Sequence, residues 1–115
     1  NQSRRQRQMC IRDSLNSYLN NNPKGFLASS SGIILADIAV SKRDFDKGLS
    51  ILTKCIKNSN SIKDIRQMQL RKASYYIDNG QKFEAEKIID KLLLDEDLSS
   101  WNKQVAQEIK GKILS

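Results

Sequence analysis

The chain has 115 residues, carries a formal net charge of +7 and is 38% hydrophobic, which suits one domain with a packed core. A single proline and five glycines suit packed helices better than short strands joined by turn-rich loops. The absence of histidine removes the usual general base of serine and cysteine hydrolases and the commonest zinc ligand. The sequence also has no glycine-rich phosphate loop, nucleophile elbow or metal-ligand cluster, so we expect neither catalysis nor a metal or cofactor.

The N-terminal end is strongly basic. Four of the seven net charges come from Arg4, Arg5, Arg7 and Arg12. Such an arm can bind nucleic acid or anionic lipid, or it can be the solvated start of a helix, and both interpretations stay open. Loosely helical spacing of apolar residues predicts a leading helix within residues 1–22, where a run of asparagines and Pro23 ends it.

Two helical hairpins are predicted next, at about residues 25–58 and 63–94. The first helix of the first hairpin is apolar on more than one face, which is typical of an element packed between neighbours. A turn at Asp44 leads to the second helix, which carries one apolar stripe. Gly80, with the asparagine before it, stops the first helix of the second hairpin.

A further helix of the same type is predicted over residues 98–115, with Asp97 or Ser99 as its N-cap. Trp101 begins this helix, and we expect it to pack in the core, with an exposed binding anchor as the alternative. Gly111 suits close approach of another helix, so self-association through the C-terminal end is one expectation and a capping role for this helix is the alternative.

The two hairpins align with each other at an offset of 37 residues. The aligned pairs are Ala36 with Ala73, Gly48 with Ala85, Ile51 with Ile88, Leu52 with Ile89, Lys54 with Lys91 and Cys55 with Leu92. Repeats of this length are typical of solenoids, in which stacked helix pairs complete a core that no single pair can close.

The spacing of small and aromatic residues resembles the tetratricopeptide family. The matching residues are Ala36, Phe45 and Gly48 in the first hairpin and Ala73, Phe83 and Ala85 in the second, with Phe83 displaced by one place. The resemblance implies an all-α fold in which residues 23–115 form antiparallel helix hairpins of a right-handed solenoid. It also implies a non-enzymatic scaffold for protein–protein interaction.

Residues 18–115 resemble more narrowly the soluble domain of the YfgM-like family, through the segments GFLASSSGIILADIAVSKRDFDKGLSIL and WNKQVAQEIKGKILS. This resemblance implies a periplasmic domain of a bacterial inner-membrane protein, whose anchor lies outside this chain. It implies partners at the Sec translocon: translocon subunits, emerging chains and periplasmic chaperones, with a role in protein export. The alternatives are a cytoplasmic location and a basic helical nucleic-acid-binding domain, in which Tyr75 and Tyr76 would stack on bases.

A partner-binding groove is predicted on the inner faces of the first helices of the hairpins. The repeat register places six residues there: Ile33, Asp37, Val40, Leu70, Ser74 and Ile77. Four of the six are apolar, which suits an extended hydrophobic segment better than a charged tail. The alternative is that neighbouring helices cover these residues.

The two cysteines, Cys10 and Cys55, lack the CxxC spacing of metal knuckles and redox motifs. We expect both to be small buried apolar residues, and a disulfide between them is the alternative.

Overall fold

The computed structural model describes residues 4–25 and 27–115, with side chains from residue 11 onward. Within these ranges the chain is all-α and has no β-strand, which confirms the predicted fold class. The helices are α1 (Arg4–Asn21), α2 (Ala28–Ser41), α3 (Phe45–Asn58), α4 (Ile62–Asp78), α5 (Lys82–Leu93) and α6 (Ser100–Leu114).

The helix ends follow from local chemistry. Asp44, Ser61 and Ser99 are the N-caps of α3, α4 and α6, and each side chain accepts a hydrogen bond from the backbone N–H three residues later, at 3.2, 3.3 and 3.2 Å. Arg43 and Gly80 adopt positive φ angles of 66° and 79°, so each turns the chain sharply after a helix. Ser99 therefore takes one of the two N-cap positions that the sequence allows.

The helices form two compact units, residues 1–60 and residues 61–115. In the first unit α2 packs between α1 and α3, as its apolar surface predicts. Leu35 and Ala36 of α2 are buried. The Tyr18 hydroxyl holds the connection from α1 to α2 by accepting a hydrogen bond from the Leu27 N–H at 3.1 Å.

In the second unit α4, α5 and α6 all pack on one another. Their core consists of Leu70, Ala73, Ala85, Ile89, Leu92, Leu98, Ala106 and Ile109. Two ion pairs lie at the edge of this core. Arg66 of α4 pairs with Asp95, which follows α5, and Lys110 of α6 pairs with Asp90 of α5. The hydrogen bond from Lys110 to Asp90, helped by the attraction of that carboxylate, raises the pKa of Lys110.

Aligned positions of the two hairpins are buried alike, except that Cys55 is half-buried whereas Leu92 is buried. The two aromatic residues, which are displaced by one place, also differ. Ala36 and Ala73 are both fully buried, but Phe45 is 6% exposed whereas Phe83 is 67% exposed. The one-place displacement of Phe83 explains this difference, because one residue rotates a side chain by about 100° around a helix. Gly111 is also exposed, and a Cβ there would meet no atom within 4 Å, so no other described helix of this chain approaches it closely and the expected approach of a partner's helix stays a prediction.

Cys55 is a half-buried free thiol. Burial raises its pKa, and the nearby charge of Lys54 partly opposes that effect. The expected burial of Cys10 lies outside the described side chains, as do the arginines of the basic arm at positions 4, 5 and 7.

Candidate functional site

The best candidate for a binding site is an open groove between α4 and α6 of the second unit. It has a volume of about 310 Å³ and is lined by Gln67, Leu70, Arg71, Ser74, Trp101, Asn102, Val105, Glu108, Ile109 and Lys112. On each helix these residues recur every three or four positions, so they form one stripe of α4 facing one stripe of α6. The stripe on α6 covers eleven residue steps, or about 16 Å at 1.5 Å per residue, which suits about five residues of an extended chain.

The floor of the groove is apolar and belongs to the core. Leu70 of α4 and Ile109 of α6 are 6% and 7% exposed, and Val105 packs against the same core. Because these side chains hold α4 and α6 together, the floor is a rigid part of the unit. A ligand that contacts it meets a preformed surface rather than one that must first be ordered.

Trp101 stands at the rim of the groove with 73% of its surface exposed. It lies in the first turn of α6, whose start is held by the Ser99 cap. Its indole N–H has no hydrogen-bond acceptor among the described residues. An exposed tryptophan beside an apolar floor offers a large surface and one polar donor to a partner, which is a combination enriched at binding interfaces.

Polar side chains flank the floor on both helices. The amides of Gln67 and Asn102 make no side-chain hydrogen bond to the described residues, so their donors and acceptors are available to a partner. Arg71, Glu108 and Lys112 add two positive charges and one negative charge. Amide side chains that flank an apolar floor can pair with the backbone of an extended polypeptide while the floor takes its side chains.

The six residues predicted for a groove divide between the two units. Leu70 and Ser74 line the α4–α6 groove, while Ile77 is half-buried against the core beneath α4. Ile33, Asp37 and Val40 are half-buried on α2 and do not line the α4–α6 groove.

Trp101 corrects one expectation, because it is exposed rather than packed in the core. Trp101 lies four residues before Val105 and so continues the apolar stripe of α6. The first turn of α6, however, extends beyond the side chains of α4 and α5 that cover the rest of this stripe. From sequence the apolar stripe of α6 was found, Trp101 was assigned to the core, and the polar residues of α6 that line the groove were missed. The polar neighbours of Trp101 in SSWNKQ were the available signal of an exposed position.

The two tyrosines proposed for base stacking are largely covered. Tyr75 is 4% exposed, and Tyr76 packs against the core of the second unit. Stacking needs an open ring face, so these positions disfavour that role.

A larger cavity of about 440 Å³ lies between α4 and α5, lined by residues that include Ile62, Arg66, Lys87 and Ile88. Two of its three cations already have partners within the unit, and Lys91 is the third. Arg66 pairs with Asp95, and Lys87 lies 3.6 Å from the Glu84 carboxylate and 4.6 Å from the centre of the Phe83 ring. This cavity therefore offers fewer free polar groups than the α4–α6 groove.

No family model, curated protein or solved structure matches this chain. In the described part of the chain, no group of three or more histidine, cysteine, aspartate or glutamate side chains is placed to hold a metal ion. None of the described helices combines the length and apolar character needed to cross a membrane.

Proposed function

We propose that this chain is a non-enzymatic scaffold that binds an extended polypeptide in the α4–α6 groove. The observation that carries the proposal is the exposed Trp101 beside an apolar floor of Leu70, Val105 and Ile109. The partner is a segment of about five extended residues with one large apolar side chain. Gln67 and Asn102 hydrogen-bond its backbone, and the floor holds the apolar side chain.

We further propose that the helix pairs belong to a right-handed solenoid of the tetratricopeptide kind. The contacts of α4 with both α5 and α6 support this arrangement, since the first helix of one pair packs there on the first helix of the next. The matched burial of Ala36 with Ala73, and of Leu52 with Ile89, supports it as well. In that arrangement α4 and α6 are both first helices, and the groove between them lies on the surface that such solenoids use for binding.

The test uses the chain's single tryptophan as its reporter. A ligand is first selected as the strongest binder in an array of random peptides. Each peptide has about 12 residues, so its extended length exceeds that of the groove. The selected peptide is then titrated into the protein while Trp101 fluorescence is recorded. We expect a blue shift of the emission as the indole leaves water, and Trp101→Ala weakens binding roughly 30-fold, as expected of an aromatic anchor. Binding to this variant is measured by anisotropy of a labelled peptide.

Phe83→Ala is the matched control, because Phe83 is a similarly exposed aromatic residue of the same unit that does not line the groove. It should leave the affinity unchanged. Equal losses in both variants, or binding without any change in Trp101 emission, would rule out the groove. Raising the salt concentration separates the alternative function, since affinity for an apolar floor holds or strengthens whereas phosphate-driven binding of nucleic acid falls steeply.

On the resemblance to the YfgM-like family, we propose that the partners are translocon subunits, emerging chains or periplasmic chaperones at a bacterial inner membrane. A photo-crosslinking amino acid at position 102, inside the groove, should then trap a Sec subunit or a known periplasmic chaperone in cells. The same group at position 83 is the control. Trapping of cytoplasmic proteins alone would contradict the periplasmic location.

A further inference from the structure

A second groove lies in the first unit, between α1 and α3 and above α2. Among the described residues α1 and α3 each pack on α2 but not on each other, so the surface of α2 between them is left open. Two adjoining cavities of about 270 and 120 Å³ fill this space. Both are lined by Asn16, Leu35 and Ile51, so they form one continuous groove, which we call the α1–α3 groove.

The α1–α3 groove has an apolar floor. Leu35 and Ala39 of α2 are 4% and 6% exposed, and Ile38 and Ile51 are half-buried beside them. Leu19 of α1 continues this apolar surface toward the far end. A partner that fills the groove therefore buries apolar side chains against the half-buried Ile38, Ile51 and Leu19.

The rim of the α1–α3 groove is basic. Its charged residues are Arg12, Lys42, Lys47, Lys54 and Asp44. The single carboxylate, on Asp44, is engaged as the N-cap of α3, where it accepts the Lys47 N–H at 3.2 Å. Arg12 lies on α1, Lys42 directly follows α2, and Lys47 and Lys54 lie on α3, so the four cations surround the apolar floor. The second unit, in contrast, is nearly balanced in charge with ten basic and nine acidic residues. The complement of such a groove is an apolar surface with acidic edges.

The length of the groove suits a helix. Along α3 its lining runs from Asp44 to Asn58, which is about 21 Å at 1.5 Å per residue and equals roughly four helical turns. A partner helix lies along the groove between α1 and α3. Its apolar stripe faces α2, and its flanks face α1 and α3.

We propose that the α1–α3 groove binds an amphipathic α-helix of a partner protein whose flanks carry aspartate or glutamate. The apolar stripe of that helix contacts Leu35, Ile38 and Ile51. Its acidic flanks pair with Arg12 on one side and with Lys47 and Lys54 on the other. This surface is separate from the Trp101 groove, so the chain holds two different partner segments, one helical and one extended.

The probe is a fluorescein-labelled peptide of about 14 residues, which matches the groove length. It carries leucines at helical i, i+3, i+4 and i+7 spacing and glutamates beside them. One comparison peptide replaces every glutamate with lysine, and another replaces every leucine with serine. Anisotropy measures binding, and circular dichroism of the mixture reports whether the peptide becomes helical. A single-stranded DNA of about 20 nucleotides, longer than common single-strand binding sites, tests the competing ligand class.

We expect the acidic amphipathic peptide to bind as a helix, and both comparison peptides to bind at least about tenfold more weakly. Lys47→Glu and Lys54→Glu each weaken binding about fivefold, since each replaces an attraction by a repulsion. Lys103→Glu makes the same change in net charge on exposed surface of α6 and leaves binding unchanged. Trp101→Ala also leaves it unchanged, which separates this proposal from the proposed function.

Three results would overturn the proposal. The first is equal binding of the acidic and basic peptides, and the second is an equal effect of Lys103→Glu and Lys54→Glu. The third is tighter binding of the DNA, with a loss on Lys54→Glu and no dependence of peptide binding on leucine, which would assign the rim to nucleic acid.

Discussion

Gly32 in the middle of α2 touches a side chain of α3 so closely that an added methyl group would have no room. A Cβ built at Gly32 would lie 2.5 Å from the Cys55 sulfur and 3.4 Å from the Cys55 Cβ. The optimal separation of such atoms is about 3.5–4.0 Å, so the sulfur must move by about 1 Å or more. Gly32→Ala is therefore an overpacking substitution at the contact between α2 and α3.

Two opposing terms set the size of the effect. Alanine in place of glycine inside a helix stabilises by about 1 kcal/mol. Overpacking a buried contact costs about 1–3 kcal/mol. We expect Gly32→Ala to lower the free energy of unfolding by about 1 kcal/mol. In a Cys55→Ala background the sulfur is absent, and the remaining 3.4 Å contact is ordinary, so the same substitution should stabilise by about 1 kcal/mol.

Urea unfolding of the four proteins of this double-mutant cycle, followed by circular dichroism, measures the coupling directly. The expected coupling between the two positions is about 2 kcal/mol, the difference between the two backgrounds. The reasoning fails if Gly32→Ala stabilises the protein in both backgrounds. That result would mean that the sulfur turns into the adjoining groove at no cost.

Three further expectations concern single contacts. Tyr18→Phe should destabilise the protein by about 1 kcal/mol, because it removes the hydroxyl that accepts the Leu27 N–H at 3.1 Å. Urea unfolding of the variant checks this, and an unchanged midpoint would show that water replaces the hydroxyl. Arg66→Met and Asp95→Asn should show a coupling of about 1 kcal/mol in a double-mutant cycle, which shrinks in high salt if the pair is electrostatic. Because burial raises the pKa of Cys55, the folded state holds this thiol in its protonated form. The stability that the protonated thiol contributes is therefore present below about pH 9, and it is lost as the pH rises through the raised pKa of Cys55. Alkylation of Cys55 in a Cys10→Ser background should thus be slower in the folded than in the urea-unfolded protein near pH 9.0, and equal rates would contradict the burial.

Helix positions could be predicted because they depend on residues close in the chain. The apolar spacing within each helix and the stop signals at Gly80 and before Pro23 act over a few residues. The capping of α6 by Ser99 is of the same local kind. The apolar character of α2 also predicted correctly that neighbours pack on it from two sides.

The candidate site could be predicted only in part. The repeat register placed Leu70 and Ser74 on α4, and both line the groove. Trp101 was assigned to the core and Asn102 was missed, because their role depends on which face of α6 the other two helices leave open. A spacing of four residues makes Trp101 part of the apolar stripe, but spacing alone does not tell whether a neighbour reaches that turn.

The sequence by itself determined that the described chain consists of six helices, and it predicted several of their ends and their apolar faces, since these features come from backbone geometry and from periodicity within about twenty residues. Only the tertiary structure decided which apolar residues stay in water. Phe45 is buried and Phe83 is exposed although both begin the second helix of a hairpin, and Trp101 is exposed although it continues a buried stripe. The α1–α3 groove lies between two helices that share the neighbour α2 without packing on each other, whereas the α4–α6 groove lies along two helices that pack directly. Both depend on contacts between different helices, which no local pattern encodes.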